Sequence, residues 1–395
     1  MLRAISSQGK AVTLATCSRK QIDSWRTTGS FHCPLCRQPV IIKAGTRVIP
    51  HFAHQASGTC PASGGEGMYH EWGKLQLYRW LQAQRLQVEL EAYLPEIHQR
   101  PDLLLTLPGR RIAIEYQCAK IPISQLNERN RGYIDEGIIP LWILGEKRMN
   151  RRTTDHFKLD RFSIHLAHQF SPDFPLTLFY FCPHTLQFLT FQDIHLTSAG
   201  MAIGKFRQQR LNNLHFPDIF RTVAYSPQDL FSQWKKEKQR FRMKPKNRLY
   251  GKELAWHQWL YLNGRQVERL PSLVYLPVPS QYMMTSPPWD WQSRLLIDLL
   301  TPLPLGQKIS LHRSEQLLRK SINSPKYYPL IKEPGNPVRE YFKLLVDCGY
   351  LHPIGHKLFQ KVRDVEYHQH IEQSTAADDE LMDYLADKSK GKIKA

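Results

Sequence analysis

The chain has 395 residues, with 54 Lys and Arg against 35 Asp and Glu for a formal charge of +19, and seven cysteines. That length suits two to four domains, each with room for its own core. The longest apolar run, 138–144, is far too short to cross a bilayer, and the first residues lack the charged-then-apolar pattern of a secretory signal. An odd, thinly spread set of cysteines argues against a disulfide scaffold and for a reducing compartment, so a cytoplasmic protein is expected. The positive balance points to a polyanionic partner or to a solubility device.

Residues 3–16 alternate loosely and predict a short strand pair turning at Gln8-Gly9. Next comes Cys33-Pro-Leu-Cys36, then His51-Phe-Ala-His54 and Cys60. Zinc favours four soft or borderline ligands in a tetrahedron, and a Cys-x-x-Cys turn supplies two of them. Cys33, Cys36, His51 and His54 are the expected set, with Cys60 able to replace one histidine. A redox pair is the competing reading of Cys33 and Cys36 but leaves the histidines unexplained. Residues 1–60 carry a net +7, and 58–67 read as a linker.

The spacing then predicts a helix over 68–85, a strand over 88–94 and a hairpin of strands 102–107 and 111–117. A helix over 124–135 and a buried strand over 138–144 follow, completing an α/β core in the order helix, three strands, helix, strand. A turn near Pro108-Gly109 brings Asp102 near Glu115 across the ladder, while Glu115 and Gln117 share a strand face. A carboxylate rising from the apolar run Ile112-Ala113-Ile114 is costly unless a cation offsets it. Oxygen ligands suit magnesium, which activates water and stabilises charge on a phosphodiester. Glu66, His70 and Lys74 are four apart on the preceding helix or its entry, so Glu66 is the natural third carboxylate. Lys74 or Lys120 is placed to contact a phosphate, and His70 is a further candidate nucleic-acid contact. The other reading makes Asp102 a turn residue and Glu115 an interface charge.

Residues 61–150 are electrically balanced, whereas 151–250 carry +9. Residues 176–191 predict a further hairpin. Residues 234–248 hold eight basic residues and one acid. That run reads either as a solvated linker or as a phosphate-tracking arm of Lys235, Lys236, Lys238, Arg240, Arg242, Lys244, Lys246 and Arg248, with Trp234 and Phe241 available to stack on bases. Beyond 250 the pattern is mostly helical. Residues 336–350 read as a helix that core packing explains more simply than a winged-helix module does. The tail after 373 reads as loose.

Cys33-Pro-Leu-Cys36, His51-Phe-Ala-His54, Glu66/His70/Lys74, Arg100-Pro101-Asp102, Ile114-Glu115-Tyr116-Gln117, Leu126-Asn127-Glu128-Arg129 with Tyr133, and Leu141-Trp142-Ile143-Leu144 together resemble the competence protein CoiA family over roughly residues 1–195. The resemblance implies a restriction-endonuclease-like PD-(D/E)xK core behind a small zinc-ribbon-like piece. It further implies a metal-dependent nuclease that processes incoming single-stranded DNA and promotes recombination in natural transformation, alongside the strand-exchange recombinase. By position Asp102 and Glu115 are then the Mg2+ or Mn2+ ligands and Glu66 the helix acid, although Gly67 follows Glu66 where the family pattern has Ser. Gln117 stands where most such enzymes have lysine, and a glutamine offers only neutral hydrogen bonds. The expected organisation is a zinc-ribbon-like domain at 1–62, a nuclease-like domain at 63–170, a hairpin extension and basic linker at 171–250, and a mostly helical region at 251–395. A non-catalytic DNA-binding recombination mediator on the same fold is the alternative.

Overall fold

A computed structural model describes residues 1–45, 49–54, 60, 67–244 and 249–393. The expected linker at 58–67 and residues Glu66, Lys246 and Arg248 fall wholly or largely outside them.

The N-terminal piece is a five-stranded sheet of β1 (Arg3–Ser6), β2 (Ala11–Thr13), β3 (Phe31–His32), β4 (Pro39–Lys43) and β5 (His51–His54), ordered β2-β1-β3-β4-β5. Helix α1 (Arg19–Thr28) crosses it, started by Ser18, whose side chain accepts from the Gln21 N–H. Its small core gathers Ile22, Phe31, Val40 and Phe52 around Cys33 and Cys60.

The central layer opens with α2 (Met68–Ala83), β6 (Gln87–Leu90), β7 (Leu103–Leu107), β8 (Arg110–Gln117), α3 (Ile123–Asp135) and β9 (Ile138–Gly145). This is the order helix, three strands, helix, strand read from the sequence. The sheet continues through β10 (His156–Lys158), the short helix α4 (Arg161–His165), β11 (Thr177–Cys182), β12 (Gln187–Leu196) and β13 (Met201–Arg210). All eight strands form one sheet, ordered β10-β13-β12-β11-β9-β8-β7-β6. Strand β9 lies parallel to both β8 and β11, and every other pairing is antiparallel.

Both faces of this sheet are covered, which is why its middle strands read as continuous apolar runs. On one face α2 packs Leu77, Tyr78 and Leu81 against Ile114, Leu141 and Ile143. On the other, α3 sets Leu126 against Trp142 and Leu144, and Asn130 Oδ1 accepts the Trp142 indole N–H at 2.7 Å. Gly73 lets α2 come close to β8, because a Cβ there would lie 1.9 Å from the Tyr116 ring.

The C-terminal region holds α5 (Pro227–Met243), α6 (Gly251–Leu262), α7 (Pro288–Arg294), β14 (Lys308–Ser310), α8 (Leu311–Leu317), α9 (Pro337–Asp347), β15 (Leu351–Gly355), β16 (Leu358–Lys361) and α10 (Ile371–Ile393). It is mostly helical, with one small sheet, β14-β16-β15, whose strands of three to five residues hid it from sequence patterning. Two expectations are corrected here. Over its described residues, 234–244, the basic run is neither a solvated linker nor an open arm: Trp234 is buried with its indole N–H on the Tyr275 carbonyl, and Phe241 packs among Trp256, Tyr275 and Trp289. The tail is not loose either, since α10 buries Met382 and Leu385 in the same core. The two helices are held together by charge. Asp378 of α10, itself buried, pairs with Lys238 at 3.1 Å and with the Arg242 guanidinium.

Candidate functional site

Two clusters carry chemistry. In the N-terminal piece the β3–β4 turn presents Cys33 and Cys36, and the end of β5 presents His54. The ligand atoms of Cys33, Cys36, His54 and Cys60 all lie within 4.8 Å of one another. Cys33 Sγ is 4.0 Å from Cys60 Sγ, and Cys36 Sγ is 3.2 Å from His54 Nε2. Sulfurs each about 2.3 Å from a tetrahedral zinc lie about 3.8 Å apart, so this donor set fits a structural zinc. Burial and the nearby N-terminal amine and Arg100 hold the His54 imidazole below its ordinary pKa, hence neutral as a metal ligand requires. Burial alone would raise the Cys36 thiol; the Gln38 amide and the neighbouring thiols outweigh it and pull it down.

His51 is not in this group, which corrects the expected ligand set in favour of Cys60. Residues three apart on a strand face opposite sides, so His51 and His54 cannot both turn inward from β5. His51 Nδ1 instead meets the Ile49 carbonyl at 2.8 Å.

The second cluster lies at the adjoining ends of β7 and β8. Leu103 pairs with Ile114, so Asp102 falls opposite Glu115, and the Tyr116 amide donates to Asp102 Oδ2 at 2.8 Å. The two carboxylates are served by different helices. From α2, His70 Nε2 lies 3.3 Å from Asp102 Oδ2, with its ring stacked on Tyr116. From α3, Arg129 and the Tyr133 hydroxyl both donate to Glu115 Oε1. Burial pushes the Glu115 carboxyl up, against the pull of Arg129 and with a further push from Asp102. The sequence suggested that a metal offsets the charge of Glu115; part of that role falls to Arg129.

Lys74 corrects another expectation. It is fully buried, with Nζ 2.6 Å from Glu91, 3.2 Å from Glu71 and 3.6 Å from Asp102, and so is not presented to a phosphate. Glu71 and Glu91 were missed by sequence reasoning. Glu71 had a signal, the i,i+3 spacing to Lys74. Glu91 had none, since it follows β6 at a positive φ of 49° and reaches across the domain boundary to accept the Leu2 amide at 2.8 Å. Gln117 is half-exposed and turns its amide to the Ala119 carbonyl at 2.6 Å. Lys120 is exposed and paired with Asp160 at 2.9 Å.

Asp102 and Glu115 offer only oxygen donors. Both helix contacts fall on Glu115 Oε1, so Oε2 remains for a hard cation, and the pair fits magnesium in donor type. Among the described residues, the cysteine and histidine cluster is the one gathering of three or more such donors close enough for a metal.

Of the basic run, Lys238 and Arg242 are buried, correcting their expected role as phosphate contacts. Lys238 Nζ also donates to the Ser272 and Val274 carbonyls, and Arg242 donates to the Glu268 and Leu270 carbonyls. Lys235 pairs with Asp379 and Asp383, Arg240 with Glu237, and Lys244 with Glu253, while Lys236 is exposed.

A sheet flanked by helices in this order, with paired carboxylates at the ends of adjacent strands and a cysteine and histidine cluster ahead of it, defines a nuclease-like mixed α/β protein. Family models agree along the chain: residues 14–63 match the competence protein CoiA N-terminal domain, 66–224 its nuclease-like domain, and 230–375 its C-terminal domain. The chain is 33% identical over 271 residues to the Competence protein CoiA of Bacillus subtilis (strain 168), covering 68% of this chain and 71% of that one. The chain belongs to the CoiA family. No solved structure gives a significant match, and among the described residues no helix is long and apolar enough to cross a membrane.

Proposed function

We propose that this protein is a metal-dependent DNA nuclease of natural transformation, one that processes incoming single-stranded DNA in the cytoplasm and promotes its recombination together with the strand-exchange recombinase. The observation that carries the reading is the placement of Asp102 opposite Glu115 at the ends of β7 and β8, on a nuclease-like domain. Asp102, Glu115 and Glu66 would hold Mg2+ or Mn2+. When bound, the ion supplies activation of a water and stabilisation of charge on the scissile phosphate. Of the chain's own groups, the Tyr116 amide and His70 fix the Asp102 carboxylate, while Arg129 and Tyr133 fix Glu115. The zinc cluster would brace the fold of the N-terminal domain (1–62), and Glu91 ties that domain to the nuclease-like one (63–170) by accepting the Leu2 amide.

One observation favours a second reading, that of a non-catalytic recombination mediator. Gln117 replaces the lysine of most PD-(D/E)xK sites, and its amide is turned to its own backbone. Labelled single-stranded and duplex DNA, incubated with the protein with and without added magnesium or manganese, separates the two. Cleavage that requires the added metal supports the nuclease; tight binding with no cleavage under either metal supports the mediator.

A further inference from the structure

The chain's positive charge needs a new location once Lys238 and Arg242 are known to be internal. Helix α7, strand β14, helices α8 and α9 and strands β15 and β16 follow one another in the order helix, strand, helix, helix, strand, strand, which is that of a winged-helix module. The helix that such a module lays into a DNA groove is α9, and here it is largely packed against the rest of the protein, with Lys343 its one exposed residue. Val338, Tyr341, Phe342 and Leu345 are buried, and Glu340 accepts from the Ser280 amide at 2.8 Å and its hydroxyl at 2.7 Å. The wing and α8 stay outside.

Register places their side chains on one surface. Lys308 of β14 lies beside Gln360 of β16, which lies beside His352 of β15, and cross-strand partners share a face. The neighbouring row, Ile309, Phe359 and Pro353, includes the buried Ile309 and Phe359 and faces the core, so the Lys308 row faces outward. At the wing tip the Lys357 carbonyl accepts the Leu311 amide at 2.9 Å, which brings His356 and Lys357 beside His312 and Arg313 at the start of α8. Lys308, His312, Arg313, His352, His356 and Lys357 are all exposed. Among the described residues no acid pairs with Lys308, Arg313 or Lys357. The one acid of α8, Glu315, is half-buried and accepts from Asn336 at 2.6 Å.

We infer that the β15–β16 wing and the outer face of α8 form a docking surface for the phosphate backbone of duplex DNA. Complementary charge is the carrying argument: three cations without acidic partners and three imidazoles occupy one rigid surface. Single-strand sites pair a basic groove with Trp, Tyr or Phe platforms for the bases, and none of these six side chains is of that kind. The inference deepens the nuclease reading and rests on it only in taking DNA as the polyanion.

The test is binding of a fluorescent duplex, and of one of its single strands, by the full chain at several salt concentrations without divalent metal, so that cleavage plays no part. The variant carries Lys308→Ser, Arg313→Ser and Lys357→Ser, and the control carries Lys20→Ser on α1, an exposed lysine outside this surface. Loss of three phosphate contacts lowers the magnitude of the log–log salt slope by about 2.7, so a fall of about 2 to 3 for duplex in the triple variant alone is expected. An unchanged slope in the triple variant, an equal fall in the control, or a fall confined to the single strand overturns the inference. Absence of cleavage in the separate metal-dependent assay, with this slope change intact, overturns the nuclease reading and leaves the surface standing.

Discussion

Glu115 and Arg129 form an ion pair behind the strand ends, closed by the Tyr133 hydroxyl on the same carboxylate oxygen. The carboxylate is buried and the guanidinium largely so, and the pair joins β8 to α3. Removing one partner of such a pair leaves the other charge buried alone, which costs about 3–5 kcal/mol. Arg129→Met is therefore expected to lower the urea midpoint strongly and to abolish cleavage. Arg129→Met combined with Glu115→Gln regains much of the stability without regaining cleavage. Equal stability of the single and double variants would show that the pair contributes nothing.

The zinc cluster makes a ligand-specific prediction. Metal analysis of protein purified without chelator should find about one zinc per chain. Cys60→Ser should lower that content and make the N-terminal domain sensitive to mild chelation, whereas His51→Ala leaves both unchanged. The opposite pattern would return His51 to the ligand set.

Acid sensitivity has an identifiable source in His168. Burial holds its imidazole down to about 3, and its Nε2 accepts the Trp142 amide at 3.1 Å in the middle of the sheet. The unfolded chain takes up this proton near pH 6.5, while the folded chain resists it to about 3. Stability should therefore fall as pH drops below about 6.5, by up to about 1.4 kcal/mol per pH unit from this group. Urea unfolding at pH 7 and pH 5 measures the difference, and His168→Gln is expected to reduce it. A wild-type stability that is flat over this range contradicts the assignment.

Asp378 ties the basic helix to the C-terminal one. Asp378→Asn leaves Lys238 and Arg242 buried with no carboxylate between them, and should destabilise the C-terminal region by about 3 kcal/mol or more. DNA affinity of the protein that remains folded should be unchanged. Loss of affinity without loss of stability would restore these cations to a binding role.

The strands and helices that position Asp102 and Glu115 were legible because α2, β7, β8, α3 and β9 each carry a full period of apolar residues, and the hairpin turn fixes the register. The zinc ligands were legible as residue types but not as a set. The choice between His51 and Cys60 depends on strand alternation in β5 and on where the chain after it returns. Helix α5 was misread because charge density says nothing about burial: Lys238 and Arg242 are internal only because Asp378, 136 residues beyond Arg242, lies between them. Glu71, Glu91 and Lys74 form a network joined through tertiary contacts, and only its Glu71–Lys74 step shows as local spacing.

Asp102 is the proposed holder of the metal that cleaves DNA. The most direct measurement of that role is single-turnover cleavage of an end-labelled DNA in magnesium or manganese by wild type and by Asp102→Asn, with folding of both checked by their unfolding midpoints. Metal-dependent cleavage by wild type is expected, with a loss of about a hundredfold or more in a folded Asp102→Asn variant, the size that follows from removing a charged group that serves the transition state. Cleavage by Asp102→Asn at the wild-type rate, or none by a wild-type protein that binds the same DNA tightly, would contradict it.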